Sequence, residues 1–500
     1  MMPRYKHYDY QQSILIPVNF DEQIMPGTLE HTINYLVEEK IDISMLETRF
    51  HNEETGAPAY DPKILLKIVL MAYSRGVVSS RRIERLCREN IVFKALTAGI
   101  EPDFTTIAGF IRSIEGTEQF LFSDVLLYCS ELDLLGGTTF ALDGCKLPSN
   151  ASKEYSGTFN DLKKKKEKLA KTVRFLMAQH RENDHKDREE VKQHKQRITQ
   201  IKQKIDKIDT FLAGHSPKLK SRQGEKQSNI TDNESAKMKT SKGVIQGYNG
   251  MAMGDSKHQV IIAAGAFGNG QEYELLKPLM ITAKENARRA RLGRRYFQGK
   301  QVIADTGSFC EDNLIYLSGE KIDAYIPDQQ FRKRDPRFVD RDRYKSKKDA
   351  LYTKEDFTYC GKTNTFTCPE GNILKFHTHQ TFNNTNGRVY RALLSDCKKC
   401  TRRDKCLRSE KTRQRSLYVI EKYFNRNYSE EMKAKIDTPL GRNIYSMRMG
   451  IIEPVFAHVC SAKGLNHFTL RGRAKVNIQW VLYCLVHNME KIARYGMASG

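Results

Sequence analysis

Two aspartates close short apolar runs that read as strands: Asp143 ends TTFALD (138–143) and Asp305 lies in QVIADTG (301–307). Side by side at strand ends, two carboxylates offer the hard oxygen donors that suit Mg²⁺ or Mn²⁺. A pair of such ions about 3.5–4 Å apart activates a water or hydroxyl and stabilises a leaving oxygen. With 60 acidic residues in the chain, strand-end aspartates also serve simply to cap turns. A second group is Cys397-Lys-Lys-Cys400 followed by Cys406, with Cys368 upstream. A CxxC pair presents two sulfurs on one turn and a remote pair closes a tetrahedron, so these four are candidate Zn²⁺ ligands. Cys360, His377 and His379 compete with Cys368 for the fourth position, and free thiols in a basic loop are the plain alternative. Lys398, Lys399, Arg402, Arg403 and Lys405 around the knuckle suit backbone phosphates.

The elements that must position these residues alternate between helical and strand periods. Residues 1–125 read as helical, and YDPKILLKIVLMAYSRG (60–76) puts apolar residues at 64, 65, 68, 69 and 72 on one face. Pro62 suits a first helical turn and Gly76 a C-terminal cap. SRRIERLCREN after Ser79 and FTTIAGFIRSI (104–114) follow as short helices. Arg81 and Arg82, with Arg75, Arg85 and Arg112, suit a helix-turn-helix DNA reader, and equally the surface of a plain bundle. From 159 to 212, Ile198, Ile201, Ile205, Ile208 and Leu212 fall at heptad steps, as do Leu162, Leu169, Val173 and Leu176. RENDHKDREE between them is either the middle of one long helix or the bend of a helical hairpin. Residues 213–243 hold few apolar side chains and are expected to be a flexible basic linker.

Beyond the linker, GYNGMAMGD (247–255) and KHQVIIAAGAF (257–267) predict a hairpin turning near Asp255-Ser256. A helix, the Asp305 strand, a helix and the strand IDAYIP (322–327) follow. With the insertions set aside, this order matches an RNase H-like α/β layout whose first, fourth and fifth strands are parallel neighbours. Asp143 and Asp305 then meet. The expected organisation is a helical DNA-binding domain at 1–130 and an RNase H-like core at 131–158 and 244–327. A coiled-coil insertion and linker (159–243), a Cys-rich β insertion (328–436) and a C-terminal helical part of the core (437–500) complete it. Trp480, His487 and Asn488 read as core residues, and Cys87, Cys129, Cys145, Cys310 and Cys484 as packing residues.

Composition narrows the class. Lys+Arg number 83 against 60 Asp+Glu, a net charge of +23 that points to a polyanionic partner, with nucleic acid the leading one. No apolar run is long enough to span a bilayer and MMPRYKHYDYQQ lacks an apolar signal core, so a cytoplasmic, nucleoid-associated protein is expected. Eleven scattered cysteines fit a reducing compartment better than a disulfide framework. No P-loop or dinucleotide fingerprint calls for a nucleotide cofactor.

FALDGCKL around Asp143, MKTSKGVIQGYN, VIADTGSFCEDNL around Asp305, IIEPVF around Glu453 and GLNHFTLRGRAKVNIQWVLYCLVHNMEK form a set. Together with YDPKILLKIVLMAYSRG they resemble bacterial insertion-sequence transposases of the DDE type over nearly the whole chain. The resemblance implies that Asp143, Asp305 and Glu453 hold Mg²⁺ (or Mn²⁺) as the catalytic triad, with separations of 162 and 148 residues (305−143 and 453−305). It implies DNA contacts for Tyr445 and Arg448. The pattern departs at two places: four residues separate Arg448 from Glu453 where relatives have three, and Cys460 stands where a lysine is expected, leaving Lys463 to make that contact. The implied partners are double-stranded DNA (terminal inverted repeats and target) and further copies of the chain, as a homodimer or larger. An inactive DNA-binding derivative and a metal-dependent DNA nuclease are the alternatives.

Overall fold

The computed structural model describes residues 17–48, 58–182, 188–219, 224–338, 351–382, 385–409, 411–421 and 427–496. Its central sheet has six strands: β1 (Thr139–Pro148), β2 (Ala236–Thr240), β3 (Gly243–Asp255), β4 (Ile261–Phe267), β5 (Gln301–Ala304) and β6 (Asp323–Tyr325). The order is β6-β5-β1-β3-β2, and β4 shares the outer edge of β3 with β2. β1, β5 and β6 run parallel, while β3 is antiparallel to β1, β2 and β4. The buried Asp255 carboxylate accepts the N–H groups of Gly136, Gly137 and Lys257, each at 2.8 Å, which pins the start of β1 beside the hairpin turn.

The C-terminal helix Arg473–Lys491 lies across this sheet because its side chains are apolar nearly all round. Trp480 is fully buried and its Nε1 donates to the Met251 carbonyl at 2.8 Å. Its ring lies so close to β3 that a Cβ on Gly250 would stand 2.9 Å from it, so only glycine fits there. Asn488, also fully buried, both donates to and accepts from the Ile261 backbone at 2.8 Å. Such pairing satisfies polar groups that would otherwise cost their hydration.

The helix Pro62–Ser74 starts where its sequence predicts. The Asp61 side chain caps Lys63 N–H, Pro62 occupies the first turn, and Gly76 closes the end at φ +69°. Tyr73 at its end packs against Tyr483 of the C-terminal helix, ring centres 5.0 Å apart. The N-terminal helices and the central sheet therefore share one continuous apolar core.

The two heptad runs face each other within the chain. Helices Phe159–Glu182 and Arg188–Gly214 pack Val173 and Leu176 against Ile198 and Ile201, and Leu162 against Ile208 and Phe211. The arrangement is a helical hairpin; the bend, residues 183–187, lies outside the described residues.

Two expectations need correction. Residues 213–243 are not a linker where described: Lys218–Leu219 pairs Glu225–Lys226, Ser228–Asn229 pairs Ser156–Gly157, and β2 joins the central sheet. Buried polar side chains replace an apolar core here. Asn229, fully buried, donates to the Ser152 carbonyl at 2.8 Å and accepts from Thr231 and Asp232 N–H at 2.9 and 3.0 Å. The C-terminal helical part expected at 437–500 also does not begin as one helix but as Pro439–Ser446, Arg448–Ile451, Glu453–Phe456 and a π-helical stretch Ala457–Ala462. Pro454 has no N–H to donate to the preceding turn, which forces an interruption beside Glu453.

A separate five-stranded antiparallel sheet runs Thr358–Cys360, Thr365–Thr367, Ile373–Phe382, Thr385–Ala392 and Ser416–Ile420 in order. It closes over a small core of Phe357, Phe366, Leu374, Tyr390, Leu417 and Val419. Among the described residues no helix is long and apolar enough to cross a membrane.

Candidate active site

Parallel register brings the two aspartates together. The β1–β5 pairs run from Thr139↔Gln301 to Leu142↔Ala304, each 162 residues apart, and Asp143 and Asp305 continue the same offset (305−143). Asp305 is still extended, at φ −78° and ψ 175°. The two carboxylates thus leave adjacent strands, whose backbones lie about 4.8 Å apart, at the same level.

Asp143 is held on both oxygens. Oδ1 accepts the Gly144 N–H at 2.8 Å and Oδ2 accepts Arg448 Nη1 at 2.6 Å. Burial pushes its carboxyl up to about 6; Arg448 opposes that rise and the neighbouring Asp305 adds to it. The other arm of Arg448, Nη2, stands 3.6 Å from Glu453 Oε1, and the Glu453 side chain is 52% exposed. Burial likewise raises the Tyr445 phenol, with Arg448 pulling it down and Asp305 pushing it up. Its ring meets Phe331 edge-on at 5.4 Å. Asp143, Asp305, Tyr445, Arg448 and Glu453 are therefore grouped, with the guanidinium bridging two carboxylates.

Further residues of this cup are not singled out by the sequence, although Lys146, Gly307, Ser308 and Asn313 lie within the segments around the two aspartates. Ser308 Oγ donates to Asp305 Oδ1 at 3.4 Å. On the other side Glu272, from the short turn Glu272–Glu274, pairs with Lys146 of β1 at 2.7 Å. Gly307 joins the two groups: a Cβ there would collide with Glu272 Oε2 and stand 3.2 Å from both Asp305 oxygens. The buried Asn313 amide clamps the turns, donating to the Tyr273 carbonyl at 2.8 Å and the Ser308 carbonyl at 2.9 Å. Glu272 lies 33 residues before Asp305 (305−272), outside any spacing that a motif would mark.

Lys463 is not available to DNA from this position. Its side chain is 3% exposed and pairs with Glu490, with Nζ 3.3 Å from His458 Nε2. Burial disfavours the charged ammonium and lowers its pKa, and pairing with Glu490 opposes that. Cys460, at the expected lysine position, turns its Sγ to 3.5 Å from Cys145 Sγ. Arg81 and Arg82 are exposed on helix Ser80–Glu89, away from the cup's own elements, and Arg81 lies over the Phe104 ring at 4.9 Å.

The cysteines gather at one end of the second sheet. Burial raises the Cys406 thiol, Arg415 lowers it, and Cys397, Cys400 and Cys368 all act on it as neighbours. The Asn372 N–H donates to Cys368 Sγ at 3.3 Å and the Arg415 N–H to Cys397 Sγ at 3.4 Å, contacts that suit thiolates. Cys360 is exposed and bonded toward Thr363, while His379 lies 3.7 Å from Glu421. Four sulfurs suit Zn²⁺, and the carboxylates of the cup suit a hard divalent ion. As they stand, no three or more His, Cys, Asp or Glu side chains among the described residues take up a metal-binding arrangement. In the cup, Arg448 lies between Asp143 and Glu453, 2.6 Å from the first and 3.6 Å from the second.

Comparison with known proteins gives two matches. Residues 367–493 match a transposase DDE domain, a span that includes the four cysteines, Tyr445, Arg448 and Glu453. Residues 18–113 match a transposase domain, DUF772, which takes in Arg81 and Arg82. Asp143 and Asp305 fall outside both spans. No curated protein and no solved structure matches the chain.

Proposed function

Since these matches mark the chain as an insertion-sequence DDE transposase, we propose that it binds the terminal inverted repeats of its element, cuts the ends and joins them to target DNA. The observation that carries the reading is the in-register pair Asp143 and Asp305, with Arg448 reaching from Asp143 to Glu453. The strand order β4-β3-β1-β5-β6, with β1, β5 and β6 parallel, supports an RNase H-like core.

Asp143, Asp305 and Glu453 would hold Mg²⁺ or Mn²⁺. Bound there, the ions would supply an activated oxygen nucleophile and stabilise the departing one. In cutting, water oxygen bonds to phosphorus and the 3′ oxygen leaves with a proton. In joining, the oxygen of that 3′-OH bonds to a target phosphorus and gives up its proton, while the target 3′ oxygen leaves and takes one up. Arg448 would turn from the carboxylates to the phosphate, with Tyr445 fixing its guanidinium, and Arg81 and Arg82 would contribute to end recognition. Cys368, Cys397, Cys400 and Cys406 would hold a structural Zn²⁺. The net charge of +23 supports long-range attraction of DNA. Transposition of this kind uses two ends, which supports a homodimer or larger assembly.

The test is cleavage and joining of a labelled duplex carrying the terminal repeat, comparing wild type with Asp305→Asn in Mg²⁺ and Ca²⁺. Nicks at the repeat boundary followed by joined products, both lost in the variant, are expected. Cleavage without joining would indicate a nuclease. Tight binding with no cutting in Mg²⁺ or Mn²⁺ would indicate a DNA-binding protein, the reading that Cys460 at the lysine position favours.

A further inference from the structure

We propose that Lys146 is a second DNA-phosphate contact of the cup, and that Glu272 is the counter-ion that holds it in place until DNA arrives. The inference rests on the transposase reading and adds residues to its site.

Two cations at or beside the cup are each paired with a carboxylate. Arg448 is seated on Asp143 at 2.6 Å, and Lys146 on Glu272 at 2.7 Å, where Glu272 and Asp305 both face Gly307. Lys146 stands on β1 three residues after Asp143, an odd offset that turns the two side chains to opposite faces of the strand, so Lys146 meets the Asp305 side of the cup through Glu272 and not alongside Asp143. Glu272 is also fixed, because Asn313 clamps its turn to the turn that follows Asp305. A carboxylate clamped next to Asp305 adds repulsion that the fold does not need, unless a cation shares the space. Lys146 is that cation.

Access separates Lys146 from the buried alternative. The Lys146 and Glu272 side chains are 26% and 18% exposed, whereas Lys463 is 3% exposed. Both side chains keep contact with water, so a phosphate oxygen can approach and take the place of Glu272 on the ammonium. Phosphate binding also releases condensed counterions from DNA, which favours the exchange. Asn249, directly across the β1–β3 ladder from Lys146, is fully buried, and neither its amide nitrogen nor its oxygen has a partner among the described residues. The strand pair beside Lys146 thus carries polar capacity that the folded chain leaves unused.

The two residues of the pair predict opposite effects. Binding to the terminal-repeat duplex in Ca²⁺ is measured across a salt series for wild type, Lys146→Met, Lys146→Arg and Glu272→Gln. Lys146→Met is expected to weaken binding and reduce the slope of log K against log salt by about one, equally on repeat and unrelated DNA. Lys146→Arg is expected to restore the slope, and Glu272→Gln to bind more tightly than wild type. An unchanged slope in Lys146→Met overturns the proposal. So does weakening of Lys146→Met and Glu272→Gln in parallel, the pattern of a merely structural ion pair. Wild-type cleavage in Mg²⁺ with an unchanged Lys146→Met slope would remove this inference alone. Wild-type binding without cleavage would remove the transposase reading and leave the salt-slope test standing.

Discussion

Replacing Asp143 with asparagine should make the fold more stable at neutral pH, by an amount that depends on pH. The Asp143 carboxyl titrates near 3.8 in an open chain and is pushed up to about 6 in the fold, chiefly by burial. The fold therefore holds the proton more tightly than the open chain does. The resulting stability is fully present below pH 3.8 and is lost as pH rises through 6. A shift of about two units is worth about 3 kcal/mol, of which about 2 kcal/mol is lost between about pH 4.5 and 7.5. Asparagine keeps an oxygen for Arg448 Nη1 and has no proton to lose. Urea unfolding of wild type and Asp143→Asn at the two pH values cancels the titration of every other group. The variant should gain about 2 kcal/mol on wild type as pH rises. A difference that stays constant with pH would refute the burial argument, and one that moves the other way would mean that Arg448 outweighs burial.

Three more outcomes follow from particular contacts. Gly307→Ala should push Glu272 away from Asp305, costing about 1–3 kcal/mol by overpacking; adding Glu272→Ala should restore the melting temperature, and failure to restore it would place the strain elsewhere. Cys397→Ser should release one zinc per chain, read by elemental analysis, and lower the melting temperature; unchanged metal content would remove the four-cysteine assignment. Replacing 163–207 with a short glycine-serine turn should leave the oligomer size in solution unchanged, because the apolar seams of both helices are already closed within the chain; a smaller particle would mean that the hairpin joins protomers.

The aspartates were legible in the sequence because strand ends are local features and parallel register is set by the strands themselves. An offset of 162 residues carries from Thr139↔Gln301 to Asp143 and Asp305 without any help from side chains. The hairpin at 159–214 was legible as heptads for the same reason, although only packing decides between one helix and two. Composition failed at 213–243, since a segment poor in apolar residues can still be buried when Asn229 and its neighbours satisfy each other's hydrogen bonds. Lys463 is the lysine nearest to Cys460 in the chain, and sequence alone does not reveal that its side chain is buried against Glu490. Lys146, Glu272 and Gly307 belong to three distant segments, and only the fold brings them to one point.

The charges of the cup suggest an order of events. The four carboxylates Asp143, Asp305, Glu453 and Glu272 outnumber the two cations paired with them, Arg448 and Lys146, and Arg332 lies close enough to act on Tyr445. Asp305 already contributes to the raised Asp143 carboxyl, after burial. A DNA phosphate approaching first would meet this surplus while both cations are engaged by carboxylates. A divalent ion arriving first would take over the carboxylates and free Arg448 and Lys146 to face outward. On the proposed transposase reading this balance favours metal before phosphate, with the two ion pairs holding Arg448 and Lys146 within reach until then.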